Sequence, residues 1–357
     1  ESVQKNQHMK GSRSENTNVD VLFVNPRDLT VPAPYVKTTT YASLLLKNEI
    51  DAKIIEPKAS DIRQGEIVAF ILEKEIKIVC VSAFPSTLPD AYSLIREIRK
   101  KVPGEIRIVL EGYQVNADAN AVLMLNADYG LLGDAEYSFL ELVKSILNNT
   151  DISEDTEGII FNQNGSLKVN KMAFIRDLNA LPIPSYELLP TGSYYSASTN
   201  KRYMVLFTDR GCPYSCSFCA SAAQMKYRYL SVDNVILHLK KLVLELEVEW
   251  VEFMDLTFTI NKKRTIELCK KIIEEKLIFY WACETRADLL TEDLLDWMKK
   301  AGCNKITIGV ESGNEKLRLE TGKNINDERF KEVFEKCQKR GIKVMANYIF
   351  GHPNETM

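Results

Sequence analysis

The chain has 357 residues, 45% of them hydrophobic and 27% charged, with a formal net charge of −3. That length holds two domains of ordinary size, and the composition is that of a globular protein with no electrostatic footprint for nucleic acid. No apolar run approaches the ~20 residues that a bilayer demands and no signal-peptide pattern is present, so neither a membrane nor a nucleic-acid partner is expected. Eight cysteines are too few for a disulfide scaffold. Cys80, Cys269, Cys283, Cys303 and Cys337 are expected to be reduced core residues of a cytoplasmic protein.

Residues 1–18 are polar and mixed in charge, which predicts a disordered tail. From Val19 apolar strand-like runs (19–24, 53–55, 76–81, 106–110, 129–132) alternate with helical patterns (41–47, 66–72, 91–101, 117–125, 137–147). This alternation predicts a Rossmann-like domain over 19–150, α/β in class, with a doubly wound parallel sheet. Ligands of such sheets sit beyond the strands' carboxyl ends, here in loops 25–36, 82–90, 111–116 and 133–136. Residues 151–200 read as a hairpin turning at Asn164-Gly165, followed by an extended linker stiffened by Pro182, Pro184 and Pro190.

A second domain, 201–357, alternates again. Its strand runs are 203–207, 250–253, 279–283, 305–308 and 343–348, and its helical patterns are 232–246, 263–273, 292–299 and 328–339. Directly after the first run stands Gly211-Cys212-Pro213-Tyr214-Ser215-Cys216-Ser217-Phe218-Cys219. Three thiolates at this spacing can converge on one soft metal centre and leave one iron of a [4Fe–4S] cluster without a cysteine from the loop. Inert core cysteines, a disulfide and a zinc site are the rival readings. Zinc calls for a fourth ligand, and His238 is the only histidine within forty residues.

The Cys-x-x-x-Cys-x-x-Cys loop, with an aromatic before its last cysteine, resembles that of radical S-adenosylmethionine (radical SAM) enzymes. Preceded by a Rossmann-like domain and the linker 177–190, it resembles the cobalamin-dependent members in particular. The resemblance implies a partial (β/α)6 barrel, here truncated after strand five, with Cys212, Cys216 and Cys219 as cluster ligands. It further implies SAM contacts from Phe218, Asp255, Arg286, Glu311, Ser312 and Gly351, with His352 facing solvent. Cobalamin contacts fall on Gly112, Tyr113, Gly133 and Glu136, in motifs that match the family only in part. No histidine lies between Lys10 and Cys212, so cobalamin would be bound without an axial histidine from this domain.

The activity implied is reductive cleavage of SAM followed by C-methylation of a small biosynthetic intermediate, with an external one-electron donor such as flavodoxin or ferredoxin. The alternatives are a radical SAM cyclase or rearrangement enzyme, and a non-catalytic cobalamin- or SAM-binding scaffold.

Overall fold

The computed structural model describes residues 19–26, 34–219, 226–353 and 355. The predicted tail 1–18 lies outside the described residues. The chain divides into two compact units, one of residues 1–30 and 41–174, the other of residues 31–40 and 175–357.

The first unit is built on β1 (Val21–Val24), β2 (Ala52–Ile55), β3 (Ile78–Ser82), β4 (Arg107–Glu111), β5 (Tyr129–Leu131), β6 (Ile159–Gln163) and β7 (Ser166–Val169). They form one sheet in the order β2-β1-β3-β4-β5-β6-β7. β1 and β3 are buried along their whole length, which explains why they read as unbroken apolar runs and not as alternating ones. The first five strands are parallel.

The hairpin assigned to a connector by the sequence pattern instead continues this sheet. β6 pairs antiparallel with β5, Tyr129 opposite Phe161, and buries Ile159, Ile160 and Phe161. Three-residue β5 would otherwise end the sheet on an exposed edge, and the hairpin covers it. The first compact unit therefore runs to Phe174.

The proline-rich stretch is likewise not a bare spacer. It folds into 3-10 turns at Leu178–Ala180, Tyr186–Leu188 and Thr191–Ser193 and packs on the second unit. The Asn179 side chain accepts from Ser231 N and Asn234 Nδ2 at 2.8 and 2.7 Å. The buried Tyr186 hydroxyl meets His238 Nδ1 at 2.9 Å. Burial pushes His238 down to about 4, so this histidine is neutral and structural.

The second unit holds β8 (Tyr203–Leu206), the short antiparallel pair β9 (Asp209–Arg210) and β10 (Arg228–Tyr229), then β11 (Trp250–Phe253), β12 (Tyr280–Thr285), β13 (Cys303–Glu311) and β14 (Lys343–Tyr348). Five of these make a parallel sheet in the order β14-β13-β12-β11-β8. One of its faces is apolar and buried, with Met204, Leu206, Val251, Phe253, Trp281, Cys283, Ile306 and Ile308. Helices Lys262–Glu274, Glu292–Lys300 and Asp327–Lys339 bury their apolar stripes against it. Cys283 lies beside Cys303, Cys269 and Cys337 there, all as free thiols. By the two-residue period of a strand, the other face carries Val205, Glu252, Ala282 and Lys305 in one row and Glu284, Thr307 and Met345 in the next. No helix among the described residues is long and apolar enough to cross a membrane.

Gly112, just after β4, has φ 107° and ψ −174°, a region open essentially to glycine alone. A Cβ there would also stand 2.7 Å from the carbonyl oxygen of Ala83. Gly112→Ala is expected to cost about 2 kcal/mol or more of folding stability, read by urea unfolding of the full chain. An unchanged midpoint would show that the backbone can relax there.

Candidate active site

The loop from Gly211 to Cys219 leaves the sheet through a turn pinned by one carboxylate. Asp255, 1% exposed, accepts the backbone N–H of Thr208 at 2.5 Å and that of Asp209 at 3.0 Å, and also the Thr208 hydroxyl. Both of its oxygens thus accept from the turn between β8 and β9. The residue expected to meet the amino group of SAM acts here as a brace for the cluster loop.

Beside it lies Asp209, 3% exposed, whose carboxyl oxygens have no hydrogen-bond partner. Burial pushes its carboxyl up to about 9, and the neighbouring Asp255 charge adds to the shift; Arg264 and the nearby Tyr227 hydroxyl oppose it. Neither the Asp209 carboxyl nor the Tyr227 hydroxyl completes a hydrogen bond, although these oxygens are buried. Arg264 spends its donors on the carbonyl oxygens of Leu230 and Thr208, at 3.0 and 3.2 Å.

Cys212, Cys216 and Cys219 are free thiols, each partly exposed. Cys212 Sγ stands 3.8 Å from Thr257 Oγ1, and Arg286 Nη1 stands 4.0 Å from Cys216 Sγ. Burial raises the Cys216 thiol, as do Cys219 and Cys212, while Arg286 and Lys323 pull it down. Among the described residues no three His, Cys, Asp or Glu side chains are gathered as a ready-made metal site. The donor set nevertheless fits a soft cluster: three reduced sulfurs on one loop, with the Arg286 and Lys323 cations near Cys216.

Arg286, placed at the end of β12, is held by Asp288 through two bonds of 3.0 Å and lies 4.0 Å from the centre of the Tyr214 ring. A guanidinium fixed this way cannot swing, and its remaining edge points along the cysteine loop.

Glu311 sits at a bulge near the end of β13 with φ 69°. It is paired with Lys323 at 2.6 Å, both side chains being buried. A Cβ on Gly309 would fall 2.1 Å from Glu311 Oε1 and 2.5 Å from Lys323 Nζ, so that glycine makes room for the ion pair. Ser312 is turned into its own loop, its hydroxyl accepting from Asn314 N at 3.1 Å and its carbonyl from Arg318 at 2.6 Å.

Phe218 packs edge-on against His352, ring centroids 6.1 Å apart. His352 was expected to face solvent, yet it is 8% exposed and its Nε2 has no partner. Next to it Gly351 takes φ 91°, and its N–H donates to the Glu355 carboxylate.

In the first unit Asn116 donates to the carbonyl of Gly112 and accepts from the N–H of Gly133, each at 2.8 Å. One amide therefore ties the loops after β4 and β5. Tyr113 is exposed, and the buried Glu136 opens the helix Glu136–Asn148.

Sequence reasoning missed Lys323, Asp209 and Asn116. Lys323 lies twelve residues beyond its partner, and no local pattern links the two.

Three reduced cysteines thus stand on a loop at the end of the first strand of a parallel sheet, beside two fixed cations. Residues 207–357 match the model of the radical SAM superfamily. The chain is 30% identical over 321 residues to an uncharacterized methyltransferase of Pyrococcus horikoshii, covering 88% of this chain and 69% of that one. It is 31% identical over 186 residues to the anaerobic magnesium-protoporphyrin IX monomethyl ester cyclase of Rubrivivax gelatinosus, covering 51% of this chain and 33% of that one. Among solved structures, the radical SAM methyltransferase TsrM from Kitasatospora setae, with cobalamin and a [4Fe–4S] cluster bound, matches with TM-score 0.79 at 16% identity, covering 94% of this chain and 67% of that one. The cobalamin-dependent radical SAM enzyme OxsB, with aqua-cobalamin bound, matches with TM-score 0.80 at 19% identity, covering 92% and 49%. The chain belongs to the radical SAM superfamily. It thus belongs among enzymes that use SAM and a [4Fe–4S] cluster.

A buried acid with a raised pKa makes stability fall as pH rises. Below its ordinary value of 3.8 Asp209 is protonated in both states and costs nothing. Between there and about 9 the unfolded chain ionises while the folded one keeps its proton, so folding loses ground across that window. Asp209→Asn is expected to match wild type near pH 4 and to melt higher towards pH 9. Parallel melting profiles across the range would remove Asp209 from this role.

Proposed function

We propose that this chain is the core of a cobalamin-dependent radical SAM methyltransferase acting on a small molecule, supplied with electrons by an external donor such as flavodoxin or ferredoxin. The observation that carries the reading is the loop of three reduced sulfurs beside Arg286 and Lys323. Its support from relatives is the methyltransferase of P. horikoshii; from fold likeness it is two cobalamin-bound neighbours. The five-stranded parallel sheet is read as part of a (β/α)6 barrel, and the parallel core β2-β1-β3-β4-β5 as a doubly wound, Rossmann-like sheet with its ligand end at the loops after β4 and β5.

Cys212, Cys216 and Cys219 would hold the cluster, which when bound supplies the electron that cleaves the sulfonium of SAM. Arg286 faces the loop with a fixed positive charge suited to a carboxylate, and the Glu311–Lys323 pair offers both signs at the end of β13. Phe218 and Gly351 bring an aromatic edge and a bare backbone to the same side. In the first unit, Gly112, Tyr113, Gly133 and Glu136 would line cobalamin, which when bound supplies a methyl carrier. Asn116 keeps the two glycine loops in register.

A radical cyclase is the second reading, favoured by the likeness to the magnesium-protoporphyrin cyclase. SAM carrying a labelled methyl group separates the two, since only methyl transfer puts the label in the product.

Anaerobically reconstituted wild type is expected to carry cluster absorption and to cleave SAM, and Cys216→Ala to lose both. Retained iron and cleavage in that variant would overturn the cluster assignment. Hydroxocobalamin is expected to bind wild type with a shifted visible spectrum, and Asn116→Ala to weaken binding about tenfold. Absence of any shift with wild type would remove cobalamin from the reading.

A further inference from the structure

The face of the second sheet that is turned away from the helices carries an uneven set of charges. Lys305 Nζ meets Glu252 Oε1 at 2.9 Å, and Lys323 Nζ meets Glu311 Oε1 at 2.6 Å. Glu284 stands in the row beyond Lys305, beside Thr307 in the β12–β13 register, and its carboxylate has no hydrogen bond or ion pair with any described residue. The charges that reach it are Glu252 and Glu311, of its own sign, and Lys305, already committed to Glu252. Both lysines are thus spent on other carboxylates, and one negative charge is left over.

Thr307 supplies a second, independent sign. It is 1% exposed and its hydroxyl has no partner. A buried hydroxyl left unbonded costs about 1–3 kcal/mol, so an orphan beside an unpaired carboxylate marks a place where a polar group is missing. Three oxygens, two of the carboxylate and one of the hydroxyl, are too few for a hard divalent cation, which takes about six or more. They suit the N–H donors of an ammonium group. Around this polar spot the same ends of the strands expose the apolar side chains of Phe207, Met254 and Met345.

We propose that this face receives the substrate, that the substrate carries a protonated amine on an apolar body, and that Glu284 takes the amine with the Thr307 hydroxyl as its second partner. The proposal rests on the reading of the chain as a radical SAM enzyme and narrows its substrate class. Glu284 is here a specificity-determining residue: it selects charge and does not enter the cleavage of SAM. Glu252–Lys305 and Glu311–Lys323 act as closed pairs that keep both lysines from neutralising it.

The test uses the full chain, with and without reconstituted cluster, titrated with n-hexylammonium and with its neutral counterpart n-hexanol. Wild type is expected to bind the ammonium at least about tenfold tighter than the alcohol. Glu284→Gln should remove that preference while leaving hexanol binding as it was, and Thr307→Val should weaken the ammonium a few-fold. Melting curves of both variants check the fold, and SAM affinity is measured alongside because SAM also carries an amine. Equal binding of ammonium and alcohol, an unchanged preference in Glu284→Gln, or a parallel loss of SAM affinity in that variant each overturns the proposal. Loss of cluster loading or of SAM cleavage in wild type would instead sink the radical SAM reading, and the amine titration is read independently of both.

Discussion

The second unit depends on a single buried carboxylate. Asp255 gathers two backbone N–H groups and a hydroxyl from residues 208 and 209, and so fixes the direction in which the chain leaves β8. Burial pushes the Asp255 carboxyl up, and its hydrogen bonds from Thr208 and Asp209, with the charge of the nearby Arg264, oppose that shift. Cys212 follows three residues after the pinned turn, so the placement of the first sulfur is set by a residue some forty positions away in sequence. The same local crowding explains Asp209: two acids share a space with one cation whose donors go to carbonyls, and one acid must keep its proton.

Charge is distributed around the cysteine loop with similar economy. Arg286 is locked by Asp288 and Tyr214, and Lys323 by Glu311, so positive charge is present near Cys216 without any side chain having to move when sulfur becomes thiolate. Preorganised charge in a partly buried site acts more strongly than the same charge in water. Each cation is brought by a different part of the sheet: Arg286 follows β12, and Lys323 lies beyond β13. The strands set the spacing, and the loops carry the chemistry.

Local patterns reported much of this. Apolar runs and helical periodicity located the five parallel strands of each unit to within a few residues, because a buried strand cannot hide its composition. The cysteine spacing singled out the loop, since three thiols four and three residues apart stand out in the chain. Other positions misled. Residues 151–200 looked like a connector, yet the hairpin they hold completes a sheet edge, and hydropathy says nothing of which edge a strand will join. That Asp255 braces a backbone turn was not legible, because its partners lie some forty-six positions away. His352 read as a surface residue, yet it is buried and packs against an aromatic 134 positions earlier.

By itself, then, the order of residues determined the α/β class, the alternation of strands and helices, and the three thiols with the chemistry they bring. These are local matters of period, composition and spacing. Only the tertiary structure decided which acids are braces, which lysine pairs with which glutamate, and which carboxylate is left unpaired on the sheet face turned from the helices. Such outcomes depend on partners far apart in the chain, on burial that raises the cost of an unmatched charge, and on the room that a glycine such as Gly309 leaves for a pair to form.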